Sequence, residues 1–349
     1  MLKNIAFVFS AYVLLSSCGG EDAPPPPPAA DALKPAVTTE KVYEDTDDPA
    51  IWINKADPDS SLIIGTDKHI DSGGVFVFNL QGKIIRSLSR TGMKRVNNVD
   101  IAYGLKRVSG FTDIAVCTER DKNAIRVFSL PDMKEIDGGG IKVFSSSTDN
   151  LPMGISLYTR PSDTAIFAIV GRKSGPKEGY LEQYLLKDSA GIVVGELVRS
   201  FGAFSGLKEI ESIAVDNELG FVYYSDEQFG VRKYYADPSK GNAELAVFGK
   251  KEFSVDNEGI SVYKLTDSTG YILVSDQGSN SFNIYPREGQ QKLLARVPVS
   301  AIESDGSDVT SVSLPGFEGG LFVAMSTDGT FQYYRWSEIA KKAGLKVKL

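Results

Sequence analysis

The sequence predicts an all-β chain folded as a six-bladed β-propeller, with the ring closed by an N-terminal strand. Three observations predict it. Short strand-like segments recur six times at steps of roughly fifty residues. Each opens a run of alternating large and small residues with the period of a strand. No amphipathic helix separates one run from the next. Hydrophobic residues make up 42% of the chain, enough for a large core, so one domain is expected over residues 35–349.

Residues 1–18 read as a lipoprotein signal peptide. Lys3 precedes an apolar run too short to cross a bilayer, and Leu15-Ser16-Ser17-Cys18 has the small-residue pattern that ends in a lipid-modified cysteine. Cys18 is therefore the expected lipidation site, and Gly19 beside it favours the outer membrane. Residues 19–34, with five consecutive prolines at 24–28, read as a stiff tether, and the folded part is expected to begin near Pro35. A lipid anchor is then the only contact with membrane, and a monomer is expected.

The repeated segments are Pro49-Ala50-Ile51-Trp52-Ile53, Asp100-Ile101-Ala102-Tyr103, Gly154-Ile155-Ser156-Leu157-Tyr158, Ser212-Ile213-Ala214-Val215, Gly259-Ile260-Ser261-Val262-Tyr263 and Ser311-Val312-Ser313-Leu314. Each precedes a second strand that ends in a polar cluster, and these ends keep the same step. Third strands follow, among them Gly74-Val75-Phe76-Val77-Phe78 and Gly230-Val231-Arg232-Lys233-Tyr234, and then fourth strands such as Ile84-Ile85-Arg86-Ser87-Leu88. The last repeat has three strands, so the extra strand at 36–42 is expected to complete its sheet and remove a free edge.

In an antiparallel blade the start of the first strand and the end of the second lie at the same end, so both sets converge on one mouth. Around the ring the second strands end at Lys68, Arg120, Lys173, Glu227, Gln277 and Asp328. First strands begin at Asp48, Asp100, Glu211 and Glu258, and the loop before the sixth adds Asp305 and Asp308. One arc of the mouth is thus expected to be cationic and the other acidic. Clustered carboxylates suit a hard cation such as calcium, while Lys68, Arg120, Arg172 and Lys173 suit phosphate, the guanidinium in a bidentate manner. A polyanionic phosphate ester is the ligand these two arcs fit.

Composition narrows the chemistry from the other side. The chain holds one histidine and two cysteines, so a His/Cys zinc site or a Ser-His-Asp triad could draw only on His69. Cys117 sits in an apolar alternating run and reads as a small core residue, which leaves no disulfide for the folded domain. The net charge of -7 argues against a nucleic-acid footprint.

Taken together, Asp47-Asp48-Pro49-Ala50-Ile51-Trp52, Asn97-Asn98-Val99-Asp100-Ile101, Glu182-Gln183-Tyr184, Asp256-Asn257-Glu258-Gly259, Gln277-Gly278 with Ile284-Tyr285, and Ser304-Asp305-Gly306 resemble the β-propeller phytases, the alkaline calcium-dependent phytases. The resemblance runs over about 38–340. It implies a calcium-dependent phosphomonoesterase of the 3-phytase kind, which hydrolyses phytate, myo-inositol hexakisphosphate, to lower inositol phosphates with several bound calcium ions, the substrate arriving as a calcium complex. It implies Lys68, Arg120 and Lys173 as phosphate contacts, Glu211, Glu227 and Glu258 as holders of active-site calcium, and Asp48, Asp305, Asp328, Glu40 and Asp100 as further ligands, with Gln277 and Asp308 beside them. Met153 stands where the family often has a substrate-contacting tyrosine, Ser174 where a glutamate is common, and the loop after Asp305 is short of carboxylates. The alternative is a non-catalytic surface propeller that binds a polyanion or a protein partner through the same mouth; a propeller lactonase is weaker, because a neutral lactone gives the three cations nothing to bind.

Overall fold

Alternating apolar residues on short strands cannot be buried by one sheet alone, and in this chain each sheet buries its faces against its two neighbours. The computed structural model describes residues 25–148 and 150–348. Six four-stranded antiparallel sheets follow one another around a ring. Their innermost strands are Thr46–Trp52, Val96–Arg107, Pro152–Thr159, Ile213–Asp216, Asn257–Lys264 and Ser307–Thr310. Six apolar clusters fill the six junctions. Ile114 and Val127 of blade 2 meet Ala168 and Leu186 of blade 3 in one, and Phe331 of blade 6 meets Phe76 and Phe78 of blade 1 in another.

The ring closes as the repeat requires. Val37–Thr38 pairs antiparallel with the last strand, Val37 opposite Tyr333 and Thr38 opposite Gln332, so the sixth blade is built from both ends of the chain. Contacts begin earlier than Pro35. Leu33 donates to Pro298 O at 2.9 Å and accepts from Ser300 N at 3.0 Å, and Asn280 Nδ2 donates to Pro26 O at 2.7 Å, so the described end of the proline-rich segment lies along blade 5. Cys18 and the signal segment lie outside the described residues.

Two differences from the sequence reading have clear causes. The sixth innermost strand is Ser307–Thr310, which places Asp305 at the position Glu258 holds in blade 5; Ser311 to Leu314 repeats the same alternation just beyond it. Four alternating residues are too few to set register by themselves. The chain also ends in a helix, Trp336–Ala343, whose Trp336 ring stacks at 3.8 Å on Tyr263 and caps the junction of blades 5 and 6. Among the described residues no helix is long and apolar enough to cross a membrane.

Four innermost strands carry a β-bulge at the mouth, skipping pairing between Thr46 and Pro49, Val96 and Val99, Pro152 and Ile155, and Asn257 and Ile260. A bulge frees two residues from the ladder and re-aims their side chains. Those freed here are Asp47 and Asp48, Asn97 and Asn98, Met153 and Gly154, and Glu258 and Gly259. The next blade packs tightly against them: a Cβ on Gly154 would lie 1.9 Å from the Glu211 carbonyl oxygen.

Candidate active site

Three of the four cations expected at the mouth, Lys68, Arg120 and Lys173, line a single cavity of about 340 Å³, together with Glu211, Glu209, Asp45, Arg95, His69 and Met153. Lys68 comes from blade 1, Arg120 from blade 2 and Lys173 from blade 3, each just past the end of a second strand. They are not segregated from the acids. Lys68 Nζ lies 2.6 Å from Asp47 and 2.8 Å from Asp305, Lys173 pairs with Glu209, and Arg120 approaches Glu211 at 3.9 Å. Buried charge must be balanced locally, so carboxylates from neighbouring blades reach across the expected boundary between arcs. Burial opposes the charge on Lys68, but Asp47, Asp305 and Glu211 overcome it and hold the ammonium above its usual range. Arg120 is 9% exposed, and its Nε makes no hydrogen bond. A buried guanidinium donor without an acceptor fits a ligand oxygen.

Beside this cavity two groups of carboxylates converge closely enough to hold a metal ion, Glu209 with Glu211 and Glu227, and Glu227 with Asp256 and Glu258. Glu227 is fully buried, and its Oε1 has no hydrogen-bond partner while Oε2 meets the Lys208 ammonium at 2.7 Å; Asp256 Oδ1 and Glu258 Oε2 are likewise unpartnered. Burial, reinforced for Glu211 by Asp47 and for Glu258 by Glu227, pushes both carboxyls well above their usual range, and burial raises Glu227 to about 7 despite Lys208. Oxygen-only donors, crowded and unpartnered, fit a hard cation, whose charge would bring these groups back to carboxylates. Asn97 Nδ2 helps to set the first group by donating to Glu211 Oε1 at 2.7 Å and to Asp47 Oδ2 at 3.1 Å.

The remaining expected residues divide. Asp305 stays at the mouth, accepting from Lys68 and, at 2.5 Å, from Gln277 Nε2. Asp48, Asp100 and Asp308 instead line a larger cavity of about 800 Å³ along the axial channel, and each ties one blade to the next. Asp48 accepts from Val99 N at 3.1 Å, Asp100 from Leu157 N at 2.7 Å, and Asp308 from Ile51 N at 2.8 Å. They belong to neither carboxylate group. Asp328 is exposed and accepts from Thr330 within its own turn. Glu40 is exposed too and joins the closing strand to blade 1, accepting from Ile84 N at 2.8 Å. Arg172 corrects a reading made from sequence. It is 4% exposed and donates to the Tyr180 and Gly179 carbonyls at 2.9 Å, beneath a Phe144 ring, so it shapes blade 3 rather than the mouth surface.

Glu209, Asp256, Lys208, Asp47 and Asn97 were missed as site residues. Asp47, Asn97 and Asp256 adjoin residues that the repeat did mark, and a bulge-aware reading would find them. Lys208 and Glu209 lie in the connection between blades 3 and 4, where strand patterning has nothing to say. His69 Nδ1 caps its own loop by accepting from Ser72 N at 3.1 Å and Asp71 N at 3.2 Å, and Cys117 is fully buried.

The fold and this site define a six-bladed propeller whose mouth joins buried cations to two groups of carboxylates close enough to hold a metal ion. Comparison with known proteins makes the class specific. A family model described as Phytase matches residues 29–332, and 3-phytase of Bacillus subtilis (strain 168) is 30% identical over 329 residues, covering 85% of this chain and 81% of the relative. The chain belongs to the phytase family and is a phosphoric monoester hydrolase, which sets aside the non-catalytic and lactonase readings. Among solved structures a luciferin-regenerating enzyme aligns with TM-score 0.52 at 14% identity over 85% of this chain and 95% of the other, a likeness of fold alone. A Dos1 propeller aligns at TM-score 0.44 and 10% identity, over 83% of this chain and 68% of the other.

Proposed function

We propose that the protein is a calcium-dependent 3-phytase-like enzyme that releases phosphate from phytate and leaves lower inositol phosphates. The observation that carries this reading is the buried, unsatisfied Arg120 guanidinium facing the same cavity as Lys68, Lys173 and Glu211, next to carboxylate oxygens with no partner.

Arg120 and Lys173 bind phosphoryl oxygens from one side, while Lys68, held charged by Asp47 and Asp305, balances the negative charge spread over the phosphoryl oxygens in the transition state. Glu211, Glu227, Asp256, Glu258 and Glu209 would hold calcium. Bound there, it supplies Lewis acidity to the phosphoryl oxygens and lowers the pKa of a water. The raised carboxyls of Glu211 and Glu258 release their protons as the cation is taken up, so loading is itself a proton-linked step. Cys117 is buried, and His69, which lines the cavity, has its Nδ1 taken up by its own loop; the reading is attack by water with no covalent phosphoenzyme. Met153 lines the cavity in place of a phenolic donor, so Arg120 and the two lysines carry phosphate recognition.

The test is phosphate release from phytate and from simple monoesters by protein lacking residues 1–18, with calcium and with chelator. Release that needs calcium and favours phytate is expected; none across pH 5 to 9 with calcium present would reject the proposal. We propose as well that Cys18 carries the lipid that anchors a monomeric enzyme to the outer membrane. Cys18→Ser should move it from the membrane to the soluble fraction, and an unchanged distribution would reject the anchor.

A further inference from the structure

Lys208 does not fit the pattern of the other mouth cations. Lys68, Arg120 and Lys173 follow second strands and face the anion cavity, whereas Lys208 comes from the loop between blade 3, whose last strand is Ile192–Ala203, and blade 4. That loop is held in place. Ser205 N and Oγ donate to Asp226 at 2.8 and 2.6 Å, Leu207 N donates to Ser205 Oγ at 3.1 Å, and the carbonyl of Glu209 accepts from Glu227 N at 3.1 Å. The side chain then reaches the boundary of blades 4 and 5, where its Nζ stands 2.7 Å from Glu227 of blade 4, and 2.8 Å from Asp256 and 3.5 Å from Glu258 of blade 5.

We infer that Lys208 is the resident cation of the Glu227–Asp256–Glu258 group, and that a divalent ion enters that group only by displacing its ammonium. The observations that carry this are geometric. One ammonium touches all three carboxylates, which makes it the counter-charge of the group. It does not satisfy them: Oε1 of Glu227, Oδ1 of Asp256 and Oε2 of Glu258 remain without a hydrogen-bond partner. A compact monocation with three donors covers a site whose oxygen count suits a dication. The Lys208 side chain is 35% exposed on a flexible four-carbon stem, so it can withdraw to solvent when displaced. In the neighbouring group, Glu209 with Glu211 and Glu227, no single cation touches all three carboxylates: Lys173, 46% exposed, meets Glu209 from the rim, Arg120 approaches Glu211 at 3.9 Å, and Lys208 meets only the shared Glu227. The two groups share Glu227, so they are expected to differ in affinity: the first open to a cation, the second guarded by a tethered competitor. Lys208 is thus a residue that sets how many divalent ions this mouth holds and how tightly.

The inference rests on the reading of both groups as cation sites, and its test does not use phosphate release. Calcium would be titrated into protein lacking residues 1–18 against a chromophoric chelator, comparing wild type with Lys208→Met, Lys208→Gln and Lys208→Arg, each checked for native melting. Lys208→Met or Lys208→Gln, whichever folds, is expected to bind one further calcium ion per chain, or its weakest ion at least about tenfold more tightly, while Lys208→Arg stays like wild type. Equal stoichiometry and affinity in all folded variants would overturn the inference. Wild type that binds calcium but releases no phosphate would overturn the proposed function and leave this inference standing.

Discussion

At the scale of single residues, the mouth is governed by what burial does to charge. Arg120 is buried with an unsatisfied donor, and its planar fork matches a phosphate in a way an ammonium cannot. Arg120→Lys is therefore expected to lower kcat/KM for phytate by about 10²-fold while leaving the melting temperature nearly unchanged, as steady-state kinetics and calorimetry would show. The carboxyls of Glu211, Glu227 and Glu258 are raised by burial and then by a neighbouring carboxylate, Asp47 for Glu211, Glu209 for Glu227 and Glu227 for Glu258, with Glu227 at about 7, so below neutral pH a cation must compete with protons for them. Calcium affinity should fall steadily from pH 8 to pH 5, with protons released on binding. Titration calorimetry in two buffers of different ionisation enthalpy would give different apparent heats; identical heats would contradict it.

At the scale of elements, the bulges at the mouth ends of the innermost strands present the site, and the first glycine after a bulge lets the next blade come close. Gly154→Ala would push a Cβ into the Glu211 carbonyl, a backbone atom that cannot swing aside. It should cost about 1–3 kcal/mol and weaken calcium-dependent stabilisation as well, because Glu211 would move; denaturant titration with and without calcium would separate the two effects. The channel aspartates act differently. Asp308 is raised by burial, then by Asp100, to about 7. Between its unfolded value near 4 and that point the native state holds a proton the unfolded chain lacks. Its contribution is therefore greatest at low pH and fades as pH rises toward 7. Asp308→Asn removes this slope, so its melting temperature should gain on wild type from pH 5 to pH 8, and a constant difference would count against it.

At the scale of the whole molecule, six four-stranded blades are held to one another by six apolar junctions and one closure. The closure is small, Val37–Thr38 against Tyr333 and Gln332, yet it covers the outer edge of blade 6. Removing residues up to 39 should expose that edge, lower the melting temperature and produce concentration-dependent association on gel filtration. A cation held at the mouth would join blades 4 and 5 through Glu227 and Glu258, so it should hold the ring from its top. Each independent site kept at ~100 times its dissociation constant would add about 2.7 kcal/mol, and a melting temperature indifferent to chelator would speak against metal at these carboxylates.

The repeat near fifty residues, read with the period-two alternation, was enough to determine the number of blades, the closing strand and the end of the sheets where chemistry gathers. Strands alternate because each blade is buried on two faces, and that constraint is local, so it is written in the chain residue by residue. Lys68, Arg120, Lys173, Glu211, Glu227 and Glu258 were legible because they occupy repeating positions in that pattern. What side chains do across blades was not legible. Asp48, Asp100 and Asp308 looked like mouth ligands and proved to be inter-blade acceptors lining the channel: a bulge turns Asp48 away from Asp47, while Asp100 and Asp308 sit in regular strand pairs further along and face the next blade's backbone. The expected division into a basic and an acidic arc gave way to ion pairs between blades, since buried charges seek the nearest opposite charge in space. Lys208 lies far in sequence from Asp256 and Glu258 and comes from a connection with no period. Only the closing of the ring brings its ammonium to their carboxylates, and with it the question of which cation that group prefers.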